Sequence, residues 1–212
     1  MIKVDKLTLT FGKQRILNGI DAEFPSGQIH GLVGRNGSGK TMLLKCISGF
    51  VRPTGGTILI DGQPLSTNGN FPENMGILLE TPGFLPYVSG YRNLNMLAQL
   101  RGKIGTTDIQ HAMALVGLDP DRKLPVKKYS LGMRQRLGLA QALMEIPDIL
   151  LLDEPFNGLD KDGMLKMRAY LKNYCTPQRT IILASHSAED IAVLCDTVWE
   201  MEHGVLTQHI GE

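Results

Sequence analysis

The chain begins with apolar and polar positions that alternate with a period of two. The segments IKVDKLTLTF (2–11) and LNGIDAEF (17–24) have this pattern, which is typical of strands with one buried face. Together they predict an antiparallel sheet at the start of the chain. Shorter apolar runs bounded by turn residues predict further strands at 28–33, 55–62 and 75–79.

Farther along the chain, the period changes to three and four, which indicates helices. This spacing covers 93–100 and 108–118, and a long helix is predicted over 129–147 with Ser130 as N-cap and a stop at Pro147. Beyond Pro147, strands and helices alternate. The predicted order is strand 148–154, helix 161–175, strand 179–185, helix 187–195 and final strands 197–201 and 204–210.

Continuous apolar strands that alternate with helices are typical of a parallel sheet covered on both faces. The predicted fold class is α/β, with a mainly parallel sheet, an N-terminal antiparallel β subdomain and an inserted α-helical subdomain. We expect one domain over 1–212, with the antiparallel subdomain within about 1–65, the helical subdomain at about 81–147 and the core formed by the remainder.

The composition is that of an ordinary globular chain. Of 212 residues, 42% are hydrophobic and 20% charged, and the net charge of +1 gives no electrostatic reason to expect nucleic acid as a partner. No apolar run approaches the ~18 residues of a membrane span, and the N-terminus lacks the apolar block of a signal peptide. We therefore expect a cytoplasmic chain. Its three cysteines have no metal or redox spacing, and we expect them to be small buried hydrophobes.

A glycine-rich loop, GRNGSGKT, joins the predicted strand 28–33 to a predicted helix over 40–50. Glycines let the backbone curl so that successive N–H groups point at phosphate oxygens, near the positive end of the helix. We expect Lys40 to reach the terminal phosphates of a nucleotide and the Thr41 hydroxyl to ligate Mg²⁺. The segment predicts a P-loop core, with the nucleotide-binding residues Gly34, Asn36, Gly37, Ser38, Gly39, Lys40, Thr41 and Met42.

Two carboxylates end the segment ILLLDE, whose apolar residues predict a buried strand, and a histidine follows the strand IILAS. Asp153 is predicted to hold Mg²⁺ through water. Glu154 is predicted to orient and partly deprotonate the attacking water, a role worth about 10²–10⁴ in rate. His186 is predicted to hydrogen-bond the γ-phosphate. Taken alone, the two carboxylates are also compatible with a solvated turn before Pro155, and His186 with a structural role.

Five motifs occur in order along the chain: the loop at 34–41, YSLGMRQR at 129–136, ILLLDEP at 149–155, GLD at 158–160 and SH at 185–186. With them, the chain resembles the ATP-binding subunit of ABC transporters over essentially its whole length. The resemblance implies ATP and Mg²⁺ as ligands. It also implies a head-to-tail dimer with a second ATPase subunit, which sandwiches two ATP molecules.

The resemblance assigns YSLGM to the signature motif, which reaches across the dimer to the γ-phosphate in the partner's loop. Ser130 and Gly132 match the family at the phosphate contacts. Leu131 stands where a second glycine is commonest, and Met133 stands in place of a glutamine. Methionine cannot make the hydrogen bonds of that glutamine to the nucleotide sugar.

The resemblance implies roles for two further residues. Asp160 matches the loop that couples the two nucleotide sites. Phe11 stands where the family usually has an aromatic residue that stacks on adenine. A core aromatic beside the turn at Gly12 is the alternative for Phe11.

Glu80 lies at the end of an apolar strand, directly before the turn TPG. From that segment alone, the simplest interpretation is that the strand reaches the surface. By the resemblance, Glu80 replaces a glutamine that touches Mg²⁺ and water and passes motion to the helical subdomain. A carboxylate only accepts hydrogen bonds, and ~5 Å from a phosphate charge its repulsion is roughly 3 kcal/mol at an effective dielectric constant of about 20. We therefore expect Glu80 on the metal side, as a Mg²⁺ ligand.

The resemblance implies an ATP-hydrolysing subunit that drives an ABC transporter. The loop ETPGFLPYVSGYRNL is similar to that of bacitracin- and lantibiotic-resistance exporters, so export of a peptide or antibiotic-like compound is expected. The implied partner is a separate transmembrane permease, with the chain at the cytoplasmic face of the membrane. The segment 81–101 is the candidate docking surface, with Phe84, Leu85, Tyr87 and Tyr91 exposed. A helical-subdomain core is the alternative for these aromatic residues.

A soluble ABC-type ATPase that remodels a protein or nucleic-acid complex is the alternative function. Against it, the sequence has no long coiled-coil insertion, second cassette or basic stripe. A kinase or GTPase is a third possibility. It leaves YSLGMRQR unexplained, and the sequence has no guanine-reading motif.

Overall fold

The structure is a computed structural model, and it describes residues 1–65, 72, 74–80 and 83–209. Within these residues, the strands are β1 (Ile2–Phe11), β2 (Gln14–Phe24), β3 (Gln28–Val33), β4 (Gly55–Ile60), β5 (Gln63–Pro64), β6 (Met75–Leu78), β7 (Ile149–Asp153), β8 (Thr180–Ala184), β9 (Thr197–Glu202) and β10 (Val205–His209). The helices are α1 (Lys40–Ile47), α2 (Gly90–Arg101), α3 (Thr106–Leu115), α4 (Leu131–Leu143), α5 (Lys161–Tyr174) and α6 (Ala188–Leu194).

The N-terminal strands form an antiparallel sheet, as the alternating pattern predicts. Among the described residues its order is β2-β1-β4-β5, and β1 pairs with β2 from Ile2 opposite Phe24 to Phe11 opposite Gln14. Strand β2 starts at Gln14, earlier than predicted, and the short β5 was not predicted. The sheet is therefore larger than the sequence pattern indicates.

The other sheet has the order β10-β9-β3-β8-β7-β6 among the described residues. Its neighbours pair in parallel, except that β9 and β10 are antiparallel. The carboxyl ends of β3, β6, β7 and β8 consequently lie at one edge of the sheet. Ligands bind at this edge in open α/β sheets. The predicted α/β fold with a mainly parallel sheet is confirmed.

Strand β7 shows why the central strands are apolar without interruption. Its side chains alternate between two hydrophobic clusters on opposite faces of the sheet. Leu150 and Leu152 belong to the cluster with the helices α2 to α5, whereas Ile149 and Leu151 belong to the cluster with α1 and the antiparallel sheet. Both faces of β7 are therefore buried, so neither set of positions can be polar.

The helix ends differ from the predicted ones where the backbone turns left-handed. Helix α1 ends at Ile47, before the predicted residue 50, and Gly49 has φ of 81°. Helix α4 begins after Ser130, whose hydroxyl accepts the N–H of Met133 at 3.2 Å, so the predicted N-cap is confirmed. The same helix ends at Leu143, well before Pro147.

The cysteines are free thiols in apolar surroundings. Cys46 is buried, and Cys175 and Cys195 are half-buried against the core. Burial raises the pKa of the Cys46 and Cys195 thiols to about 12, so both stay protonated near neutral pH. Within the described ranges, none of the helices is long and apolar enough to cross a membrane.

The strand β3 carries a fully buried histidine. The Nε2 atom of His30 lies 2.8 Å from the carbonyl oxygen of Pro25, and Nδ1 lies 2.7 Å from the Thr197 hydroxyl. A carbonyl only accepts, so Nε2 carries the proton and Nδ1 accepts from Thr197 in the neutral ring. Burial lowers the pKa of His30 below its usual value.

We expect His30 to make the fold less stable in acid. Because its folded-state pKa lies below the unfolded value of about 6.5, the folded state binds fewer protons, and stability falls as pH drops from about 6.5 toward the folded-state pKa. One proton accounts for at most about 1.4 kcal/mol per pH unit. Urea unfolding between pH 8 and 5 should show a shallower pH slope for His30→Gln. His203→Gln, at a histidine whose side chain is 93% exposed, is the control, and an equal slope change there would contradict the assignment.

Candidate functional site

The glycine-rich loop joins β3 to α1 at the carboxyl edge of the sheet. Gly34 has φ of 145°, and a Cβ atom there would lie 2.3 Å from the Met201 carbonyl oxygen on β9, so a side chain at this position would collide with that strand. The N-cap of α1, Gly39, provides no side chain to cap the first turn. The first N–H groups of a helix have no partner within it, and here they remain available to an anion.

Lys40 and Ser38 are buried polar residues in this loop. Lys40 is 6% exposed, and its Nζ donates to the carbonyl oxygens of Gly34 at 2.6 Å and Arg35 at 3.2 Å. The Ser38 hydroxyl is buried and has no hydrogen-bond partner among the described residues. Buried polar groups are normally satisfied, and buried cations are normally paired with anions. Both residues therefore fit a bound phosphate.

Thr41 and Asp153 meet at the carboxyl end of β7. The Thr41 hydroxyl donates to Asp153 Oδ2 at 2.5 Å, which joins the first turn of α1 to that strand end. Within the described residues there is no group of three or more His, Cys, Asp or Glu side chains that could hold a metal ion. Mg²⁺ prefers oxygen ligands and takes substrate phosphates and water beside one or two carboxylates. This donor set fits Mg²⁺ shared with a nucleotide.

A cleft of about 730 Å³ brings most of the predicted residues together, and we call it the Lys40 cleft. The predicted residues that line it are Asn36 to Met42 in full, Glu80, Leu131, Asp153 and Glu154. Four lining residues were not predicted: Gln14, Ile16, Gln135 and Asn157. Gln135 lies within YSLGMRQR and could have been found there, whereas nothing in the strand pattern distinguishes Gln14 or Ile16.

The backbone of Glu154 is held on both sides. Its N–H donates to the Ala184 carbonyl at 2.8 Å, and its carbonyl accepts from Gln135 Nε2 at 3.0 Å. The residue has φ of 49°, which is uncommon outside glycine and needs such support. Glu154 Oε2 lies 2.8 Å from His186 Nδ1. Neighbouring strands thus position this carboxylate together with the histidine.

His186 lies just beyond the end of β8, and its side chain is 66% exposed. It lines a separate cleft of about 720 Å³ on the other side of the loop, together with Arg35 and Glu202. His186 therefore reaches the Lys40 cleft through its contact with Glu154. Its hydrogen bond to the γ-phosphate stays a prediction.

Glu80 lines the Lys40 cleft, but its partner is a residue that the sequence analysis missed. Glu80 Oε1 accepts from Lys45 Nζ at 2.6 Å. Lys45 lies one turn after Thr41 on α1, and that spacing could have placed it near the cleft. The contact itself joins residues far apart in the sequence and has no local signal. The Mg²⁺ role of Glu80 stays a prediction.

The signature residues do not all face the same cleft. Ser130, Gly132 and Met133 line a different cleft of about 350 Å³, whereas Leu131, which is 62% exposed, faces the Lys40 cleft. A Cβ atom at Gly132 would lie 2.2 Å from the Gly158 carbonyl oxygen, so this close approach requires glycine. Contact of Ser130 and Gly132 with a nucleotide of a second copy stays a prediction.

Asp160 is the N-cap of α5 and forms an ion pair with Arg136 of α4. Arg136 Nη1 also donates to the carbonyl oxygen of Val116, at the end of α3, at 3.2 Å. One arginine therefore connects three helices around the signature segment. Arg136 also lies in YSLGMRQR and could have been singled out there.

Phe11 is 54% exposed at the tip of the β1–β2 hairpin, so the alternative of a core aromatic is wrong. Phe11 is not among the described residues that line the Lys40 cleft, although its hairpin partner Gln14 is. Stacking of Phe11 on adenine stays a prediction.

The candidate docking segment is only partly exposed as expected, and its residues 81 and 82 lie outside the described residues. Leu85 is 50% and Tyr87 78% exposed. Phe84 and Tyr91 are partly buried against the core, so their predicted exposure is wrong. They pack against the hydrophobic cluster that contains residues of α2, α3 and α4, so the alternative of a helical-subdomain core is the correct one for these two residues.

Comparison with known proteins identifies the family. The family model described as ABC transporter matches residues 17–157. The uncharacterized ABC transporter ATP-binding protein YybJ of Bacillus subtilis (strain 168) is 43% identical over 206 residues, which are 97% of this chain and 94% of that protein. The bacitracin transport ATP-binding protein BcrA of Enterococcus faecalis is 37% identical over 213 residues, which are 100% of this chain and 69% of BcrA.

The solved structures show the same fold. The dimeric ATP-binding cassette MJ0796, in a post-hydrolysis state with ADP and Pi, matches with a TM-score of 0.88 at 20% identity, over 100% of both chains. The relatives support the transporter interpretation and not the soluble remodelling ATPase. The family model, the relatives and the Lys40 cleft all lead to the same conclusion. The chain belongs to the ATP-binding, ATP-hydrolysing subunits of ABC transporters.

Proposed function

We propose that the chain binds ATP with Mg²⁺ in the Lys40 cleft and, as a head-to-tail pair of copies, drives the export of a peptide or antibiotic-like compound. The observation that carries this proposal is the hydrogen bond of 2.5 Å between Thr41 and Asp153, with Lys40 and Glu154 lining the same cleft. It joins phosphate-binding and hydrolytic groups in one place.

The loop and α1 bind the triphosphate. Lys40 exchanges its carbonyl partners for terminal phosphate oxygens, and the N–H groups of the loop and of the first helical turn donate to the remaining oxygens. Thr41 and Asp153 would hold Mg²⁺, and Glu80 would be the further ligand. When bound, Mg²⁺ neutralises charge on the β- and γ-phosphates.

Glu154 acts as the general base. His186 Nδ1 donates to Oε2, which orients the carboxylate so that Oε1 takes a proton from water. The water oxygen bonds to the γ-phosphorus as the bond from that phosphorus to the bridging oxygen breaks, and ADP and phosphate leave. A contact of His186 with the γ-phosphate in the dimer would use Nε2, and donation there as well would require both ring nitrogens to carry a proton.

The signature segment supports a second copy as partner. Ser130 and Gly132 lie outside the Lys40 cleft of their own chain, at the N-terminus of α4, where the helix favours an anion. A head-to-tail pair would let them contact the nucleotide of the other copy. Asp160 then links the two sites, and Phe11 supplies the aromatic face for adenine.

A transmembrane permease is the proposed second partner, with the chain bound to the cytoplasmic face of the membrane. Bacitracin transport by the relative BcrA supports a peptide antibiotic as the exported class. An apolar groove of about 620 Å³ between β6, α2 and α4 is the proposed docking site. Its exposed apolar side chains are Phe50, Leu85, Met96 and Leu100.

Asn93 holds the backbone of Leu85 at the edge of this groove. Its buried side-chain amide accepts from the Leu85 N–H at 2.8 Å and donates to the carbonyls of Leu85 and Ser89. These hydrogen bonds hold Leu85 against α2, so that the groove presents a defined surface. Large exposed apolar patches mark interaction sites.

We expect Leu100→Glu to abolish recovery of the permease with the tagged chain, because Leu100 is 83% exposed in the groove and a charge there is desolvated on docking. The amount of permease recovered is measured by affinity purification from detergent-solubilised membranes, followed by mass spectrometry. Leu165→Glu, at a 53% exposed leucine on α5, is the matched control and should keep the partner. Equal recovery in both variants would show that docking occurs elsewhere.

The same purification tests the function as a whole, together with ATP binding by the isolated chain. We expect a stoichiometric polytopic membrane protein. We also expect Lys40→Ala to weaken ATP binding about tenfold or more, whereas Lys172→Ala, at an exposed lysine of α5, should leave it unchanged. A soluble partner in its place, or hydrolysis without any membrane partner, would count against transport.

A further inference from the structure

We propose that Lys45 is a positioning residue for the Glu80 carboxylate, and that this ion pair makes a glutamate compatible with a nucleotide in the Lys40 cleft. The two side chains meet at 2.6 Å. The inference rests on the proposed binding of ATP in that cleft. It explains how this chain accommodates the negative charge of Glu80 in a cleft that binds a nucleotide.

Lys45 lies on the side of α1 that carries the nucleotide-binding residue Thr41 and faces the Glu80 carboxylate. Lys45 follows Thr41 by four residues, so both side chains lie on the same side of the helix. The Lys45 side chain is 24% exposed, so most of its stem is withdrawn from water. A lysine in that situation favours a fixed anionic partner, and Glu80 is the one that it contacts.

The backbone of Glu80 has a left-handed conformation. Glu80 has φ of 57°, a conformation that non-glycine residues adopt mainly where surrounding contacts hold them. Its side chain is 63% exposed, so burial does not hold it. The contact with Lys45 is the ion pair that anchors this side chain.

The Lys40 cleft contains several negatively charged side chains. Among the described residues, the carboxylates of Glu80, Asp153 and Glu154 line it, together with the cation of Lys40. A triphosphate adds further negative charge. Lys45 compensates Glu80 directly through Oε1 and leaves Oε2 for water or the metal. Without Lys45, Glu80 repels the phosphates, and it does so most strongly when no Mg²⁺ is present.

The ion pair also lies where two surfaces meet. Leu79 lines the apolar groove, and the next residue, Glu80, lines the Lys40 cleft. Gly83 again lines the groove. Lys45 therefore holds the point of the chain that borders both the nucleotide cleft and the proposed docking site.

The test compares Lys45→Met with Lys45→Arg in chains that carry either Glu80 or Glu80→Gln. The readout is the Kd of a fluorescent ATP analogue, measured in EDTA and again with Mg²⁺, and thermal unfolding verifies that each variant is folded. In EDTA we expect Lys45→Met to raise Kd about tenfold when Glu80 is present and less than about twofold when Glu80→Gln removes the charge. Lys45→Arg should keep Kd near that of the unchanged chain, and Mg²⁺ should reduce the effect of Lys45→Met.

An equal loss of affinity in both backgrounds would overturn the proposal, because Lys45 would then act on the nucleotide or the fold and not through Glu80. No loss in either background would overturn it as well. If the unchanged chain binds no ATP analogue with or without Mg²⁺, the proposed function itself fails and this inference with it. Lys172→Met, on α5, controls for the general loss of a positive charge.

Discussion

Replacing Glu154 with glutamine is expected to lower kcat for ATP hydrolysis by about 10²–10⁴ while ATP affinity changes by no more than a few-fold. Glutamine keeps the size of the side chain but cannot take a proton from water. The backbone contacts to Ala184 and Gln135 do not involve the side chain, so the loop should keep its position. Phosphate release at saturating ATP, together with the Kd of the ATP analogue, measures both effects.

Two further variants sharpen this result. Glu23→Gln removes an exposed carboxylate on β2, outside the Lys40 cleft, and kcat should stay within about twofold because the charge is distant and screened. His186→Gln should reduce kcat less than Glu154→Gln, because His186 orients the base and the base itself remains. If His186→Gln caused the larger loss, the histidine and not Glu154 would be the base.

Asp190→Asn is expected to lower the free energy of unfolding by about 3–5 kcal/mol, the usual cost of removing one partner from a buried ion pair. Arg168 and Asp190 are 7% and 4% exposed, and Arg168 Nε donates to Asp190 Oδ1 at 2.9 Å. Asparagine removes the buried counter-charge of the guanidinium and leaves it only the exposed carboxylate of Glu189. Urea unfolding at neutral pH measures the change.

The same chain offers a matched control for this prediction. Arg168 also contacts Glu189, whose side chain is 73% exposed, and Glu189→Gln should change stability far less because water screens that pair. The double replacement of Arg168 by Met and Asp190 by Leu should recover much of the loss, since apolar residues remove the desolvation cost. A loss for Asp190→Asn no larger than that for Glu189→Gln would contradict the assigned role.

The buried pair also bears on catalysis. The Ser185 hydroxyl lies 3.3 Å from Asp190 Oδ2 and accepts the Ser187 N–H at 3.1 Å. These residues flank His186, so the ion pair fixes the segment that carries it. We expect Asp190→Asn to reduce kcat as well, through loss of order around His186.

The sequence by itself determined the features that depend on residues close to one another along the chain. The glycine-rich loop, the Ser130 N-cap and the alternation in β1 and β2 follow from local backbone preferences and from the periods of helix and strand. Local spacing also placed Asp153 and His186 at strand ends. These features could therefore be predicted before the sheet order was known.

Only the tertiary structure decided which of these residues meet. Thr41 and Asp153 are joined because β3 and β7 end at the same edge of the sheet. Lys45 reaches Glu80 because α1 contacts β7, which is the neighbour of β6 in the sheet. Phe84 appeared exposed in the sequence because its burial depends on the packing of α2, α3 and α4. Contacts between distant segments depend on chain topology and core packing, which leave no periodic signal in the sequence.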